Sequence, residues 1–417
     1  MGLIKGIICY IKDLTAKIAR HLIEIFLIPF FLAISFIARL LKKPIDVGLG
    51  PEPLINNIYH KKALLKYGYS VETFVISVYF ITSEFDYRGD YIVDRFSKFN
   101  RLLGYLGMDS LFLGSIHLFL RSLFKYKILY IYFNGGPLFP TIILRRYEHI
   151  FYKLANIKIV VFPYGGDVQD LSRCPNLLFK HAMGVNYPDY SKRMKRRVAE
   201  QIDRWTVHSN HIISGCDWVH YTYYWDTLML GHFSIDIDRW RPVQRHKKNK
   251  SFKILHAPNH RAIKGTDFLI QAVNELKREG YDIDLVLIEK ASNDVVKRAI
   301  EDADLVVDQL VIGWYAMFAI EAMALGKPVV CYLDSNLENL YINVGLISKD
   351  EIPIIKANPT NIKEVIKQNI KNKEKLKKIG ENSRKFVLKH HSVEYIGSIF
   401  TSINNKLGIK PSLLKSF

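Results

Sequence analysis

Between Phe252 and Leu333 the chain repeats one rhythm, and that rhythm sets the class of fold. Short apolar runs alternate with stretches whose apolar residues recur at helical spacing. Phe252–His256 reads as a strand, and 266–279 as a helix with Phe268, Leu269, Ala272, Val273 and Leu276 on one face. Then come a strand at 283–288, a helix at 293–301, a strand at 305–307, a helix at 318–325 and a strand at 329–333. Apolar residues three and four apart mark amphipathic helices, and wholly apolar strands are strands covered on both faces. Strand–helix–strand repetition of this kind builds parallel α/β sheets.

The first half carries the same rhythm more loosely, with strands expected near 71–76, 128–133 and 159–163. Residues 241–250, RPVQRHKKNK, place Pro242 in a run of charge and form the expected linker. A length of 417 residues accommodates two or three domains. The expected division is a helical segment at 1–44, an α/β domain at 45–240, a second at 241–390, and a helical tail at 391–417 returning to the first domain.

The first segment has a character of its own. Residues 22–41, LIEIFLIPFFLAISFIARLL, carry only Glu24 and Arg39 as charges. A helix needs about 20 apolar residues to cross a bilayer, and Pro29 inside the run is expected to kink it. Lys12, Lys17 and Arg20 precede the run, and Arg39, Lys42 and Lys43 close it, so the flanking charge sets no orientation. Upstream, Ile4, Ile7, Ile8, Ile11, Leu14, Ile18 and Leu22 recur at helical spacing with Lys5, Lys12 and Arg20 off the stripe, as in an interfacial helix. Peripheral or monotopic attachment, in-plane or re-entrant, on the cytoplasmic side is the expectation. A single span and a helix packed on the protein body are the alternatives.

With 49% hydrophobic and 24% charged residues the chain can bury a core, which excludes a disordered protein. Its formal charge of +19 points to anionic partners: nucleic acid, anionic lipid or phosphate-bearing substrates. No helix-turn-helix, zinc-finger or RNA-binding pattern accompanies that charge, so nucleic acid is not expected. Cys9, Cys174, Cys216 and Cys331 are scattered without a Cys-x-x-Cys pair, which argues for plain thiols in a reducing compartment. Three Asp-x-Asp pairs, Asp236/Asp238, Asp282/Asp284 and Asp302/Asp304, invite a metal, but neither metal nor cofactor is expected. The run Lys192 to Arg197 reads as a solvated helix face or a contact for anionic lipid.

The most informative stretch is Gly313-Trp-Tyr-Ala-Met-Phe-Ala-Ile-Glu-Ala-Met-Ala-Leu-Gly-Lys-Pro-Val-Val330. A loop opens a helix, Gly326 ends it, and Pro328 starts the next strand. Glu321 is an acid in an otherwise apolar helix, and such a group needs a partner. A ribose diol would serve, as in dinucleotide sites; a helix-start glutamate favoured by the dipole is the bland reading. Upstream, His256-Ala-Pro-Asn-His-Arg-Ala-Ile-Lys-Gly-Thr266 follows a strand and opens a helix. Arg261 and Lys264 could meet a diphosphate at that helix start, or be two solvated cations.

Together these segments resemble glycosyltransferase family 4, whose C-terminal signature runs Glu-Gly-Phe-Gly-x-x-x-x-Glu-Ala-Met-Ala-x-Gly-x-Pro-Val-Val. The resemblance implies a GT-B fold: two Rossmann-like domains facing a cleft, here with a membrane-associated helical segment at the N-terminus. It places Glu321 on the donor ribose and Lys264 on the donor diphosphate, with Arg261 as a displaced counterpart of the family's arginine. Gly313, Trp314, Tyr315 and Ala316 take the positions of the donor loop, with Gly313 in place of an acid, and His256 and Asn259 line the same side. Phe162-Pro-Tyr-Gly-Gly-Asp167 resembles the family's His-Gly-Thr-Asp turn, with Tyr164 for the histidine and Asp167 kept, near the transferred sugar. Ile235-Asp-Ile-Asp-Arg-Trp-Arg-Pro242 resembles the domain junction, and Gly50-Pro-Glu-Pro-Leu-Ile-Asn56 fills the first strand-to-helix loop, which faces the cleft in this fold. The implied activity is retaining transfer from a nucleotide diphosphate sugar to a glycan or lipid-linked acceptor at an anionic membrane surface, in polysaccharide or glycolipid synthesis. A non-enzymatic relative that binds nucleotide sugars and a basic nucleic-acid-binding protein are the rivals.

Overall fold

The computed structural model describes residues 2–78, 82–90, 108–193, 195–243 and 251–413, with side chains from residue 14 onward except at 193 and 195. Much of the expected linker, the Ile4–Ile11 part of the apolar stripe, Cys9 and the middle of the Lys192–Arg197 run lie outside the described residues or side chains.

Seven strands form the first sheet: β1 (Ile45–Leu49), β2 (Val71–Val75), β3 (Tyr87–Arg88), β4 (Tyr126–Tyr132), β5 (Lys158–Phe162), β6 (His211–Gly215) and β7 (Thr227–Met229). They pair in the order 3-2-1-4-5-6-7, and every pairing is parallel. The order reverses at β1, with Val47 opposite Val71 on one side and Ile128 on the other. A second parallel sheet runs 12-11-10-8-9, from β8 (Phe252–His256), β9 (Ile283–Leu287), β10 (Leu305–Val307), β11 (Val329–Cys331) and β12 (Ile354–Lys356). Its order reverses between β8 and β10. In open α/β sheets ligands lie beyond the carboxyl ends of the strands that flank such a reversal, so the β1/β4 and β8/β10 loops are where chemistry is to be sought.

Each sheet is covered on both faces because its strands are apolar on both. One face of the first sheet packs Val47, Leu49, Tyr130 and Phe162 against Ile396, Phe400 and Ile403 of the C-terminal helix Val393–Lys406. That helix lies on the helix Ile55–Lys66 of the first domain. Between the domains, Arg384 donates to the backbone oxygens of Ile237, Trp240 and Ala324.

The N-terminal segment does not stand apart from the body. Gly2–Leu40 is one helix that continues through Pro29. Pro29 sits on the exposed side of the helix. The opposite side is buried. Phe31 packs on Phe119 (4.9 Å) and on Phe151 edge-on (5.7 Å). Glu24 accepts from the backbone N–H groups of Ile142, Ile143 and Leu144, which open the helix Leu144–Leu154. A carboxylate there satisfies donors that a helix start leaves unpaired. Lys43 Nζ then donates to the carbonyls of Ala38 and Ala155.

Candidate functional site

At the reversal of the first sheet, the loop after β1 begins at Gly50, where an added Cβ would lie 2.1 Å from the carbonyl oxygen of Phe74. Only glycine fits that approach. The loop brings Glu52 to the end of β4, where Asn134 Nδ2 donates to Glu52 Oε1 (2.7 Å) and to the Tyr164 hydroxyl (2.8 Å). Burial raises the Glu52 carboxyl and holds the Tyr164 phenol well above its usual range, while the charge of Arg197 draws Glu52 the other way. Asp167 is fully buried below this group. It accepts from the backbone N–H of Phe133 (3.0 Å), Tyr164 (2.9 Å) and Gly165 (2.9 Å), and burial lifts its carboxyl to about 7. Asp167 thus fixes the turn that carries Tyr164, with its oxygens on backbone groups and none on another side chain.

At the reversal of the second sheet, His256 ends β8. Its Nδ1 bonds the Val307 carbonyl (2.8 Å) and its Nε2 the Thr266 hydroxyl (2.9 Å), and burial lowers its pKa to about 4. A neutral ring with both nitrogens engaged ties β8 to β10 and to the next helix. Lys264 Nζ is buried and donates to Asp308 Oδ1 (3.0 Å) and Gln309 Oε1 (2.8 Å), the two residues that follow β10. The other oxygen of Asp308 accepts from Ala316 N (3.2 Å). Arg261 is not brought to that point: it is exposed and pairs loosely with Asp267 and Glu289, at 3.7 Å each. Asn259 is exposed on the same loop.

The donor loop of the motif is placed differently from its expectation. Gly313 has φ +105°, a conformation that disfavours any residue with a Cβ, so the glutamate of the family pattern would be strained there. Trp314 and Tyr315 are fully buried and spend their polar atoms on structure. Trp314 Nε1 donates to the Leu230 carbonyl (2.9 Å) of the first domain, and the Tyr315 hydroxyl bonds His391 Nε2 (3.0 Å). The two rings clamp the domains together rather than lining a site. Nearby, Asn176 Nδ2 donates to the Val311 carbonyl (2.6 Å), a second tie between the loops of the two sheets.

Glu321 lies in the helix Met317–Ala324 and is nearly inaccessible. Asn293 Nδ2 donates to its Oε1 (2.7 Å). Burial raises its carboxyl to about 8, against the opposing Asn293 hydrogen bond and the charge of Arg239. Asn293 lines a cavity of about 370 Å³ between the domains, shared with Tyr59 and Glu84 of the first domain, Arg239 at the junction, and Ser292 and Asp294 of the second. Asn293 Oδ1 is buried and has no donor among the described residues. A buried amide oxygen left unpaired is costly, and a hydroxyl donor entering the cavity would satisfy it.

Sequence reasoning passed over Asn293, Asp308, Gln309, Asn134 and the role of Glu52. Asp308 and Gln309 could have been singled out, since they end a strand at a reversal. Asn293 carried no signal beyond opening a helix. Of the Asp-x-Asp pairs, Asp236 pairs with Lys62 (2.8 Å), Asp238 with Arg241 (2.5 Å) and Asp302 with Lys253 (2.5 Å).

No family model matches the chain, and no curated protein matches it in sequence. Solved structures match its fold. The Anabaena protein HepE, in complex with UDP-glucose, superposes with a TM-score of 0.52 over 87% of this chain and 99% of its own, at 12% identity. Sucrose-phosphate synthase from Thermosynechococcus elongatus gives 0.53 over 88% of this chain and 99% of its own, also at 12%. An alpha-glucosyltransferase in complex with UDP and a 13-mer DNA gives 0.51 over 87% and 100%, again at 12%. At that identity the likeness is one of architecture: the chain has the two-domain parallel α/β fold that its motifs implied.

Proposed function

We propose that this protein is a glycosyltransferase that moves a sugar from a nucleotide diphosphate donor to a glycan or lipid-linked acceptor, in polysaccharide or glycolipid synthesis. The observation that carries the reading is Asn293 at the interdomain cavity: its amide oxygen lacks a donor among the described residues, and its amide nitrogen holds the buried Glu321 carboxyl. A ribose supplies two vicinal hydroxyls, enough to donate to the carboxylate and to Asn293 together. On the same domain, Lys264 and the start of the helix Thr266–Arg278, which has no side-chain cap, would receive the diphosphate. Such groups stabilise charge as it grows on the departing diphosphate, so they act on the transition state more than on the bound donor.

The acceptor would lie at the other reversal, where Asn134 holds Glu52 and Tyr164 side by side. Retention of the anomeric configuration is part of the proposal through the motif resemblance. The test is calorimetric titration of the protein and its Glu321→Gln variant with nucleotide sugars. Saturable binding weakened in the variant supports the assignment, and equal affinity for both sinks it.

A further inference from the structure

One surface is left unused by the proposed chemistry. The outer side of the N-terminal helix carries Leu22, Phe26, Phe30, Phe36, Ile37 and Leu40, with Phe26 79%, Leu40 72% and Leu22 63% exposed. At about 100° per residue these positions fall within about 120° of one another, so they form one stripe, and Leu22 to Leu40 spans about 27 Å along the axis at the helical rise. The polarity is inverted from that of a soluble surface helix. Glu24 and Ser35 face inward with Phe31 and Ala38, and the large apolar groups face out. A contiguous exposed patch of this kind marks an interaction surface.

We propose that this stripe lies flat on an anionic lipid bilayer. The helix is long and apolar enough to cross a membrane by composition, with a mean hydropathy of 2.2 over an 18-residue stretch within Leu14–Leu40. Its inner side argues against crossing. Insertion would pull Glu24 off the helix start that it caps and carry that carboxylate into hydrocarbon, and would strip Phe31 from Phe119 and Phe151. Lying in the interface keeps every one of these contacts and buries the outer stripe.

Charge selects the partner. The helix Leu144–Leu154 is flanked by the N-terminal helix on one side, through Phe31 and Phe151, and by the helix Lys195–His208 on the other, where His149 and His208 stack at 3.8 Å. This layer exposes Arg39, Lys42, Arg146, Lys153 and Arg196. Among the described side chains its exposed acids near these groups are few: Asp203, and a half-buried Glu200 that lies 3.8 Å from Arg146 and 3.5 Å from Arg196. Two copies stacked stripe to stripe would crowd these cations against each other, whereas anionic headgroups would neutralise them. The inference stands apart from the sugar-transfer reading, because membrane binding is measured without donor.

The full-length protein is tested by flotation with phosphatidylcholine vesicles with and without about 30% phosphatidylglycerol. The anionic vesicles should bind at least about tenfold better, with the advantage falling as salt is raised. A Phe26→Asp/Phe30→Asp variant should lose about tenfold or more in binding and keep its thermal midpoint and its affinity for nucleotide sugar, since both side chains are exposed. Tryptophans placed by Phe26→Trp and Phe36→Trp should be quenched by brominated lipids at the same shallow depth, read as the difference from wild type. Unequal depths that place one of them near the bilayer centre would overturn the in-plane arrangement. Equal binding to both vesicle types, unchanged binding of the Asp variant, or a dimer in solution that ignores vesicles would overturn the docking itself.

Discussion

Glu321→Gln gives the sharpest test of the donor site when it is followed across pH. In the empty protein burial holds the carboxyl near 8, so at pH 6 it is protonated. A ribose hydroxyl donating to it favours the ionised form, so donor binding expels a proton below that value. Each pH unit is worth about 1.4 kcal/mol, or tenfold in affinity, so the dissociation constant should fall about 100-fold between pH 6 and 8 and level off above. Glutamine does not titrate, and it replaces an ionic acceptor with a neutral one, a loss of about 1.5–3 kcal/mol. The variant should therefore bind about 10- to 100-fold more weakly at pH 8.5 and approach the wild type at pH 6. The other buried acids near neutrality, Asp167, Asp217 and Glu148, are common to both proteins and cancel in the comparison.

Stability supplies the control for the same variant. A carboxyl raised on folding contributes stability below its unfolded value near 4.5 and loses it as pH climbs through 8. The variant should thus be no less stable than wild type at pH 9, and weak binding there cannot be charged to unfolding. Isothermal titration with a nucleotide sugar, whose phosphates do not change charge in this range, reads the affinities directly. Parallel affinity curves for the two proteins would refute the ribose assignment.

Four further outcomes follow from the geometry. Lys264→Ala strands the buried Asp308 and should cost about 3–5 kcal/mol in chemical denaturation; adding Asp308→Asn should restore much of that stability and none of the turnover. Arg261→Ala removes an exposed side chain, so stability should move by no more than about 0.5 kcal/mol while turnover falls; full retained turnover would remove Arg261 from the donor site. Asp167, Asp217 and Glu148 at about 7, with Glu321 at about 8, are all raised carboxyls, while the buried His60, His232, His256 and His391 and the half-buried His149 are lowered and oppose them only below about pH 6.5, so the thermal midpoint should decline as pH rises from about 7 to 9, the sign opposite to that of salt-bridged acids. Glu24→Ala leaves the N–H groups of Ile142, Ile143 and Leu144 without their acceptor and should destabilise the protein by about 1–3 kcal/mol in urea unfolding.

The second sheet was legible because its signal is local. A strand such as Phe252–His256 and a helix such as Thr266–Arg278 declare themselves within a dozen residues, by period and by apolar run. Glu321 stood out for the same reason, as one acid in an apolar helix. What pairs with it did not. Asn293 lies 28 residues upstream, and only the packing of two helices brings the amide to the carboxyl. The burial of the Trp314 and Tyr315 side chains was not legible because a motif records positions along the chain, whereas burial against Leu230 and His391 is decided by how the two domains close. The N-terminal run shows the limit from the other side. Its composition is that of a span, and what places Glu24 inward is the set of unpaired N–H groups at residues 142–144, more than a hundred positions away.

The account rests on a nucleotide sugar entering the cavity between the sheets. The most direct measurement is a thermal-shift and product-release screen of the full-length protein against UDP-, GDP-, ADP- and CMP-linked sugars. At about 100 times its dissociation constant a true donor contributes about 2.7 kcal/mol to the folded state, a readily measured rise in midpoint. The account predicts that a nucleoside diphosphate sugar gives that rise and slowly releases its nucleoside diphosphate, and that Glu321→Gln diminishes both. A folded protein whose midpoint no nucleotide sugar moves, and which releases no nucleotide from any, would contradict it.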